Sequence, residues 1–233
     1  MIAIHQSQFI PWLPYFYKLF SCEDFVILDD VQFQKNGVQN RNMIKTPQGA
    51  KWVTIPVSKS SKNSINEVFV SDKLWYKKFI KTIELNYKKS KNFKDVYRIF
   101  ENFDFNSISK LSEINKYFLT SIISLISINK KITYSSSLNI KEAKDDLVIE
   151  IIKKLGHNEY LTGKGALSYM NLNKFKNAGI KVYCLDFNYS PYNQLWNKSN
   201  LFVNNLSIVD LLFNDLNSTY DYIKKNGNIK LIQ

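Results

Sequence analysis

The sequence contains few of the residues that build disulfide scaffolds and zinc sites. It has two cysteines, Cys22 and Cys184, and two histidines, His5 and His157, in 233 residues. The cysteines lie far apart in the sequence, and there is no C-x-x-C pair. A chain of this length can form a core without a disulfide. We therefore expect neither a disulfide framework nor a His/Cys zinc site, and the sequence predicts no metal-ligand set.

The chain also has no long hydrophobic run. The longest candidate, Tyr117 to Ile128, is about a dozen residues and is interrupted by serine and threonine, whereas a membrane-spanning helix needs roughly 18 or more. The N-terminus does not show a basic segment followed by an apolar segment and a cleavage site. These features predict a cytoplasmic protein without a membrane span.

Arginine is scarce although the formal net charge is +12. Only Arg41 and Arg98 of the 32 basic residues are arginine, and the lysines are spread along the chain. Proteins that read bases use the planar arginine fork, and they concentrate positive charge on one surface. We expect no sequence-specific nucleic-acid binding. The basic surface is instead suited to attracting small anionic substrates such as nucleotide sugars.

The hydrophobic content of 45% is typical of a globular protein. Apolar runs predict strands at 1–6, 25–29, 51–58, 67–70, 132–138, 159–161 and 181–187. Amphipathic spacing predicts helices at 11–20, 74–88, 93–103, 107–125, 145–155, 166–177, 206–214 and 218–225. Together they predict an α/β fold with a mixed, mainly parallel sheet flanked by helices. One domain would span 1–233, with a helical insert at 72–130.

Polar residues follow the first two predicted strands at once. Ile2 to Ile4 runs into His5 and Gln6, and Phe25 to Leu28 runs into two aspartates. In an α/β sheet the carboxyl ends of parallel strands meet at the edge where ligands bind. The sequence therefore predicts a binding site at this edge.

Several sequence blocks occur in an order that resembles the WbqC-like protein family. The N-terminal blocks are HQ-x-Q-x-x-PW-x-x-YF-x-K, F-x-ILDDVQF-x-K, Q-NRN-x-IKTP-x-G and an IPV strand. YLTGKGALSYM, SPYNQLW and LSIVDLLFN follow later in the chain. Two positions depart from the family pattern, which usually has Pro at position 7 and Gly at position 14, where this chain has Ser7 and Pro14. These changes alter the backbone preferences of the first loop.

The resemblance implies a role in the synthesis of bacterial surface polysaccharide, such as the O-antigen of lipopolysaccharide. The reaction we expect is acyl or aminoacyl transfer to the amino group of a nucleotide-linked deoxyamino sugar, with acyl-CoA or an activated amino acid as donor. Two alternatives stay open. One is a nucleotide-activating transferase that uses ATP and Mg²⁺, with a HIGH-like placement of His5 but no His-x-Gly-His motif. The other is a non-catalytic partner that binds a nucleotide sugar or glycan. The oligomeric state is open as well, with a homodimer among the alternatives.

The predicted catalytic residues are His5 as general base and Asp29 or Asp30 as the group that orients it. Neighbouring strand residues point to opposite faces, so only one aspartate can face a given site. A structural interpretation, in which an aspartate caps the following turn, carries equal weight.

The predicted substrate-binding residues are mostly hydrogen-bond donors of the first forty-five positions. Arg41 would bind a carboxylate or phosphate, or form an internal ion pair, and Lys35 and Lys45 would face a diphosphate. We expect Asp210 to belong to a buried network, with Arg41 as a candidate partner. The full set is Gln6, Gln8, Trp12, Tyr15, Gln32, Lys35, Gln39, Asn40, Arg41, Asn42, Lys45, Gly163, Lys164, Gly165, Tyr192 and Gln194.

Overall fold

The computed structural model of the protein describes residues 1–58, 62–197 and 201–233. The polar composition of 58–63 predicts a loop, and part of that segment lies outside these residues. The strands are β1 (Ile2–Gln6), β2 (Asp24–Leu28), β3 (Arg41–Thr46), β4 (Gly49–Thr54), β5 (Ile132–Tyr134), β6 (Glu159–Gly163), β7 (Lys181–Phe187) and β8 (Gly227–Leu231).

The helices of the described chain pack around these strands. They are α1 (Leu13–Ser21), α2 (Trp75–Tyr87), α3 (Phe93–Glu101), α4 (Leu111–Leu125), α5 (Lys144–Lys154), α6 (Lys164–Leu167), α7 (Leu172–Asn177), α8 (Ile208–Asp215) and α9 (Thr219–Asn226). Three of them, α2, α3 and α4, lie in the stretch 72–130, where the sequence predicts a helical insert. Within the described residues, no helix has both the length and the apolar character needed to cross a membrane.

Six strands form the main sheet in the order β5-β2-β1-β6-β7-β8. The first five run parallel, and β8 pairs antiparallel with β7 at the edge. The predicted α/β fold with a mixed, mainly parallel sheet is confirmed. The chain passes from β1 outward to β2 and later returns on the other side of β1 as β6. The order of the strands therefore reverses beside β1, at a topological switch point.

Both faces of the main sheet are buried, as the short apolar strands require. Alternate residues of β1 show this: Ala3 packs with α1, α4 and α8, whereas Ile2 and Ile4 pack with α5 and α7. The sheet is therefore the middle layer of three, and only its ends are free to form a site.

The sequence predictions miss two strands and misplace several boundaries. β3 lies in a region without clear periodicity, and it is held by antiparallel pairing with β4 as a separate two-stranded sheet. β8 follows the helix predicted at 218–225, in a segment for which the sequence predicts only a fraying tail. At 67–70 the structure has isolated bridges after a 3₁₀ turn (Ile65–Glu67) rather than a strand. The helix predicted at 166–177 is divided because the Asn171 N–H donates to Asp145 at 2.9 Å.

The start of β8 packs directly against α1. A Cβ atom on Gly227 would lie 2.0 Å from Cδ2 of Tyr17, so the two segments touch without room for a side chain. Tyr17 is itself buried on the inner side of α1. The last strand therefore fixes the position of the first helix.

Candidate functional site

A large cavity opens at the carboxyl ends of the parallel strands, beside the switch point. Its volume is about 1160 Å³. Gln6 from β1, Asp30 after β2, Thr162 from β6 and Phe187 from β7 all line it. This is the place where open α/β sheets bind ligands. The predicted position of the site at this edge therefore coincides with a large cleft.

His5 lies on the wall of this cavity. Its Nδ1 is 3.2 Å from the Gln6 carbonyl oxygen, which can only accept, so this bond places the proton on Nδ1 and leaves the Nε2 lone pair available. Its ring packs at 4.7 Å on Tyr15, and the Gln8 amide is 3.5 Å away. Burial holds the pKa of His5 well below its usual value, and the positive charge of Lys18 adds to this effect. His5 is therefore neutral at physiological pH.

The two aspartates after β2 have different surroundings. The buried Asp29 carboxylate accepts from the Ser136 N–H at 3.1 Å and the Ser136 hydroxyl at 2.8 Å. It thus caps the 3₁₀ turn Ser135–Ser137 and does not line the cavity. Asp30 does line the cavity, and it accepts a hydrogen bond from Ser135. The Ser135 hydroxyl also donates to Asp29 at 3.3 Å, so the two carboxylates share one donor and the expected separation onto opposite faces does not hold beyond the end of β2. Neither carboxylate is hydrogen-bonded to His5.

The side chain of Lys18, on α1, reaches the wall of the cavity. Its side chain is only 5% exposed, yet it lines the cavity, and its Nζ is close to the end of β6, where a Cβ on Gly163 would lie 3.9 Å away. No hydrogen bond or ion pair from the described residues reaches this ammonium group. Burial lowers the pKa of Lys18 to about 8. Lys18 is not among the site residues predicted from the sequence, although it ends the motif YF-x-K.

Three further buried polar atoms of the site have no hydrogen-bond partner among the described residues. They are the hydroxyls of Tyr15 and Tyr189 and Oε1 of Gln8. All three residues line the cavity. Buried polar groups are nearly always paired in folded proteins, so an unpaired group in a cavity wall commonly marks a place where a ligand or water binds.

The loop between β1 and α1 is held from several sides. The hydroxyl of the buried Ser7 accepts from Asn115 at 3.1 Å, and the Ile10 carbonyl accepts from Asn42 at 2.9 Å. Ile10 has a φ of 37°, an uncommon conformation for a β-branched residue. Pro14 lies in the first turn of α1, where no helical N–H is required. The two departures from the family pattern are therefore accommodated without opening the loop.

The donor-rich segment from 34 to 45 supports the site from outside. Gln39 donates to Oε1 of Gln6 at 3.0 Å and so positions a cavity residue. Asn40 donates to the Ile55 carbonyl at 2.8 Å, inside the protein. Arg41 donates to the Asn36 carbonyl and lies over the Trp52 ring at 4.4 Å. None of these three side chains lines the cavity.

Asp210 forms the expected buried network, but its partners differ from the candidate Arg41. The carboxylate accepts from Tyr87 at 2.9 Å, from Tyr192 at 2.7 Å and from Gln194 at 3.0 Å. Burial raises the pKa of Asp210, while the three hydrogen bonds and the nearby Lys45 act in the opposite direction. This cluster lies away from the cavity and connects α2, α8 and the segment before α8.

The far side of the cavity is apolar, whereas its rim is charged. Tyr160, Met170 and Phe175 form part of the apolar wall, and Tyr169 is 76% exposed at the opening. Lys164 on the rim forms an ion pair with Asp186 at 2.5 Å. The cavity therefore offers a polar end near His5 and an apolar end near α7, which suits a ligand with both kinds of surface.

The structure brings ten of the predicted site residues to the cavity and leaves nine outside its lining. Those that line it are His5, Gln6, Gln8, Trp12, Tyr15, Asp30, Gln32, Gly163, Lys164 and Gly165. Those outside the lining are Asp29, Lys35, Gln39, Asn40, Arg41, Asn42, Lys45, Tyr192 and Gln194. Over the described ranges, no group of three or more His, Cys, Asp or Glu side chains could hold a metal ion.

Comparison with known proteins identifies the family of this chain. The model of the WbqC-like protein family matches residues 6–222. The chain belongs to the WbqC-like protein family. A Mycobacterium tuberculosis (strain ATCC 25618 / H37Rv) protein described as "Uncharacterized protein Rv1507c" is 30% identical over 227 residues, which cover 96% of this WbqC-like chain and 97% of that protein. No solved structure matches the chain.

Proposed function

We propose that this WbqC-like protein transfers an acyl or aminoacyl group to the amino group of a nucleotide-linked deoxyamino sugar. Family membership suggests a role related to polysaccharide biosynthesis, and the proposed product would serve the O-antigen or another surface glycan. The observation that carries the proposal is a neutral histidine at the polar end of a large cavity beside the sheet switch point. Such a histidine can accept a proton at physiological pH.

In the proposed reaction the sugar amine attacks the carbonyl carbon of the donor. A C–N bond forms, and the bond to the leaving group breaks with its electron pair. His5 takes the proton that the amine loses and can return it to the leaving group. The donor is a thioester such as acyl-CoA or an activated amino acid, so no oxidant or reductant is required. The amide of Gln8 and the carboxylate of Asp30 lie at the same end to bind sugar hydroxyls.

The size and polarity of the cavity support a two-substrate reaction. Its volume of about 1160 Å³ exceeds the roughly 300–1000 Å³ of most small-molecule sites. The apolar wall near Phe175 and the exposed ring of Tyr169 are suited to a nucleobase or acyl chain. The polar end would then hold the reacting groups next to His5.

The decisive experiment measures product as well as binding. Purified protein is incubated with a panel of nucleotide-linked amino sugars and acyl-CoA donors, and mass spectrometry detects the acylated sugar. We expect product with at least one pair, and about a 100-fold to 10,000-fold loss of turnover in His5→Ala with an unchanged melting temperature. His157→Ala, which removes the other histidine, is the matched control. Full turnover in stable His5→Ala would remove His5 from the mechanism.

The variant Arg41→Ala tests whether the donor-rich segment takes part in ligand binding or whether the ligand contacts only the cavity. Because Arg41 stacks on Trp52 outside the cavity lining, we expect this variant to keep ligand-induced thermal stabilisation. Loss of that stabilisation would assign Arg41 the ligand-binding role that the sequence predicts.

A nucleotide-activating transferase is the second candidate, because the same switch point is where doubly wound sheets bind nucleotides. In that reaction ATP and Mg²⁺ would be consumed and pyrophosphate released. Release of pyrophosphate from ATP without acylated sugar would favour this candidate. Stabilisation by a nucleotide sugar without any product would favour the non-catalytic binding partner.

A further inference from the structure

Lys18 is a buried cation without a counter-ion. It is 5% exposed, and neither a carboxylate nor any other hydrogen-bond acceptor of the described residues reaches its Nζ. Buried ammonium groups are normally paired, because removing one from water costs several kcal/mol. Other lysines of this protein illustrate the normal case, since Lys164 and Lys230 both bind Asp186.

The groups that face Lys18 provide no negative charge at physiological pH. From β1 comes His5, whose lowered pKa keeps it neutral, and from β7 comes Cys184, whose pKa is raised by burial. On its own helix, burial raises the pKa of Cys22 to about 12. Both thiols therefore stay protonated, and no group within 1–58, 62–197 and 201–233 balances the ammonium charge.

The space in front of the amine is open. Lys18 lines the cavity, and Gly163 at the end of β6 carries no side chain that would cover Nζ. A charge that the fold leaves unpaired, and that faces a cavity, can be neutralised by a ligand that enters this cavity.

We propose that Lys18 is the anion-binding residue of this cavity and pairs with a phosphoryl or carboxylate group of the ligand. The inference rests on the proposed site, and it deepens the proposed function by assigning to Lys18 the diphosphate contact that the sequence suggested for Lys35 and Lys45. Lys45 is buried beside Asp210, and Lys35 is exposed outside the cavity lining. Lys18 is the lysine placed next to His5.

Calorimetric titration with two simple anions tests this assignment. Pyrophosphate represents a diphosphate and malonate represents a carboxylate, and the tighter binder identifies the source of the anionic group. We expect Lys18→Met to weaken binding at least tenfold. Lys141→Met removes one lysine from the exposed rim of the same cavity, and it is expected to change the affinity less than twofold.

The pH dependence distinguishes Lys18 from the rim lysines. Sulfate is a suitable probe because it does not titrate between pH 6 and 10. Since the pKa of Lys18 is about 8 in the free protein, sulfate affinity should be constant below that pH and about tenfold lower at pH 9 than at pH 7. The hydrogen bond to Asp186 raises the pKa of Lys164 at the rim, so sulfate bound there would show no such decrease.

The outcomes separate this inference from the proposed reaction. Unchanged anion affinity in Lys18→Met, or no anion binding by the wild-type protein, would overturn the role of Lys18 while leaving acyl transfer open. Lys18-dependent anion binding without any acylated product would support the anion site and count against the transferase. Because methionine fits a buried position, an undiminished melting temperature of Lys18→Met shows that any lost binding is not due to unfolding.

Discussion

Two buried charges in this protein have opposite surroundings. The Asp210 carboxylate receives three hydrogen bonds, from two tyrosine hydroxyls and a glutamine amide, and it joins α8 to α2 and to the segment before α8. Lys18 is buried to a similar degree, but its ammonium group forms no hydrogen bond or ion pair with the described residues. The first charge is satisfied by the fold, whereas the second is left for something that enters the cavity.

The difference teaches which buried polar groups are structural and which are available for binding. Tyr192 and Gln194 resemble site residues in the sequence, but both side chains donate hydrogen bonds to Asp210. Near Lys18, by contrast, the Tyr15 hydroxyl and Oε1 of Gln8 are unpaired in the cavity wall. Within the cavity wall, incomplete pairing therefore identifies the polar groups that are available to a ligand.

The largest expected effect comes from removing the satisfied charge. Asp210→Ala leaves two buried tyrosine hydroxyls without an acceptor and removes one of the two acceptors of the Gln194 amide. We expect the free energy of unfolding to fall by about 3–5 kcal/mol. Urea denaturation at pH 7 measures this change. Asp215→Ala, at the end of the same helix, should cost less than about 0.5 kcal/mol. A loss below about 1 kcal/mol for Asp210→Ala would break the comparison.

Removing the unsatisfied charge of Lys18 should raise the free energy of unfolding, whereas Asp210→Ala lowers it. The pKa of Lys18 is lowered from 10.5 to about 8, so below pH 8 the folded protein carries a penalty that Lys18→Met removes. At about 1.4 kcal/mol per pKa unit, the gain in unfolding free energy is up to about 3 kcal/mol at pH 7. Between pH 8 and 10.5 the unfolded chain binds more protons than the folded one, so the advantage of Lys18→Met should shrink.

Denaturation of wild-type protein and Lys18→Met at pH 7 and pH 9.5 checks this prediction. Taking the difference between the two proteins removes the contribution of the tyrosines, which are common to both. If Lys18→Met were less stable than the wild type at pH 7, the ammonium group would have a stabilising partner and the contrast with Asp210 would be wrong.

The smallest effect is expected for a charge that is exposed and paired. The Lys164 side chain is 71% exposed, and Lys230 also contacts Asp186. Because exposed ion pairs contribute little and the second lysine remains, Lys164→Ala should leave the melting temperature unchanged within error. A clear decrease would mean that the cavity rim supports the fold.

The sequence was sufficient to predict the parallel part of the main sheet and the edge at which the cavity opens. In any parallel sheet, polar residues that follow apolar strands, as His5 and Asp30 do, lie at the carboxyl edge where ligands bind. The sequence could not assign partners to side chains, because these depend on contacts between distant segments. Arg41 illustrates this limit: its scarcity suggested an anionic partner, but the fold places it over Trp52.

The strands that the sequence did not predict were missed for the same reason, because they depend on contacts between distant segments. β3 has no clear period because its burial is set by the ribbon with β4 and by α8 behind it. β8 is specified by pairing with β7 and not by its own short sequence. Lys18 looked like one of many lysines, and its position at i+3 from Tyr15 on α1 was the only local signal that it shares a helix face with a cavity residue.

The contact between Gly227 and Tyr17 has a consequence for how this family can vary. Because a Cβ at position 227 would lie 2.0 Å from the Tyr17 ring, any larger residue there must displace the ring or the helix that carries Lys18. Positions 17 and 227 should therefore change together, with a side chain gained at one compensated by a smaller ring or chain at the other.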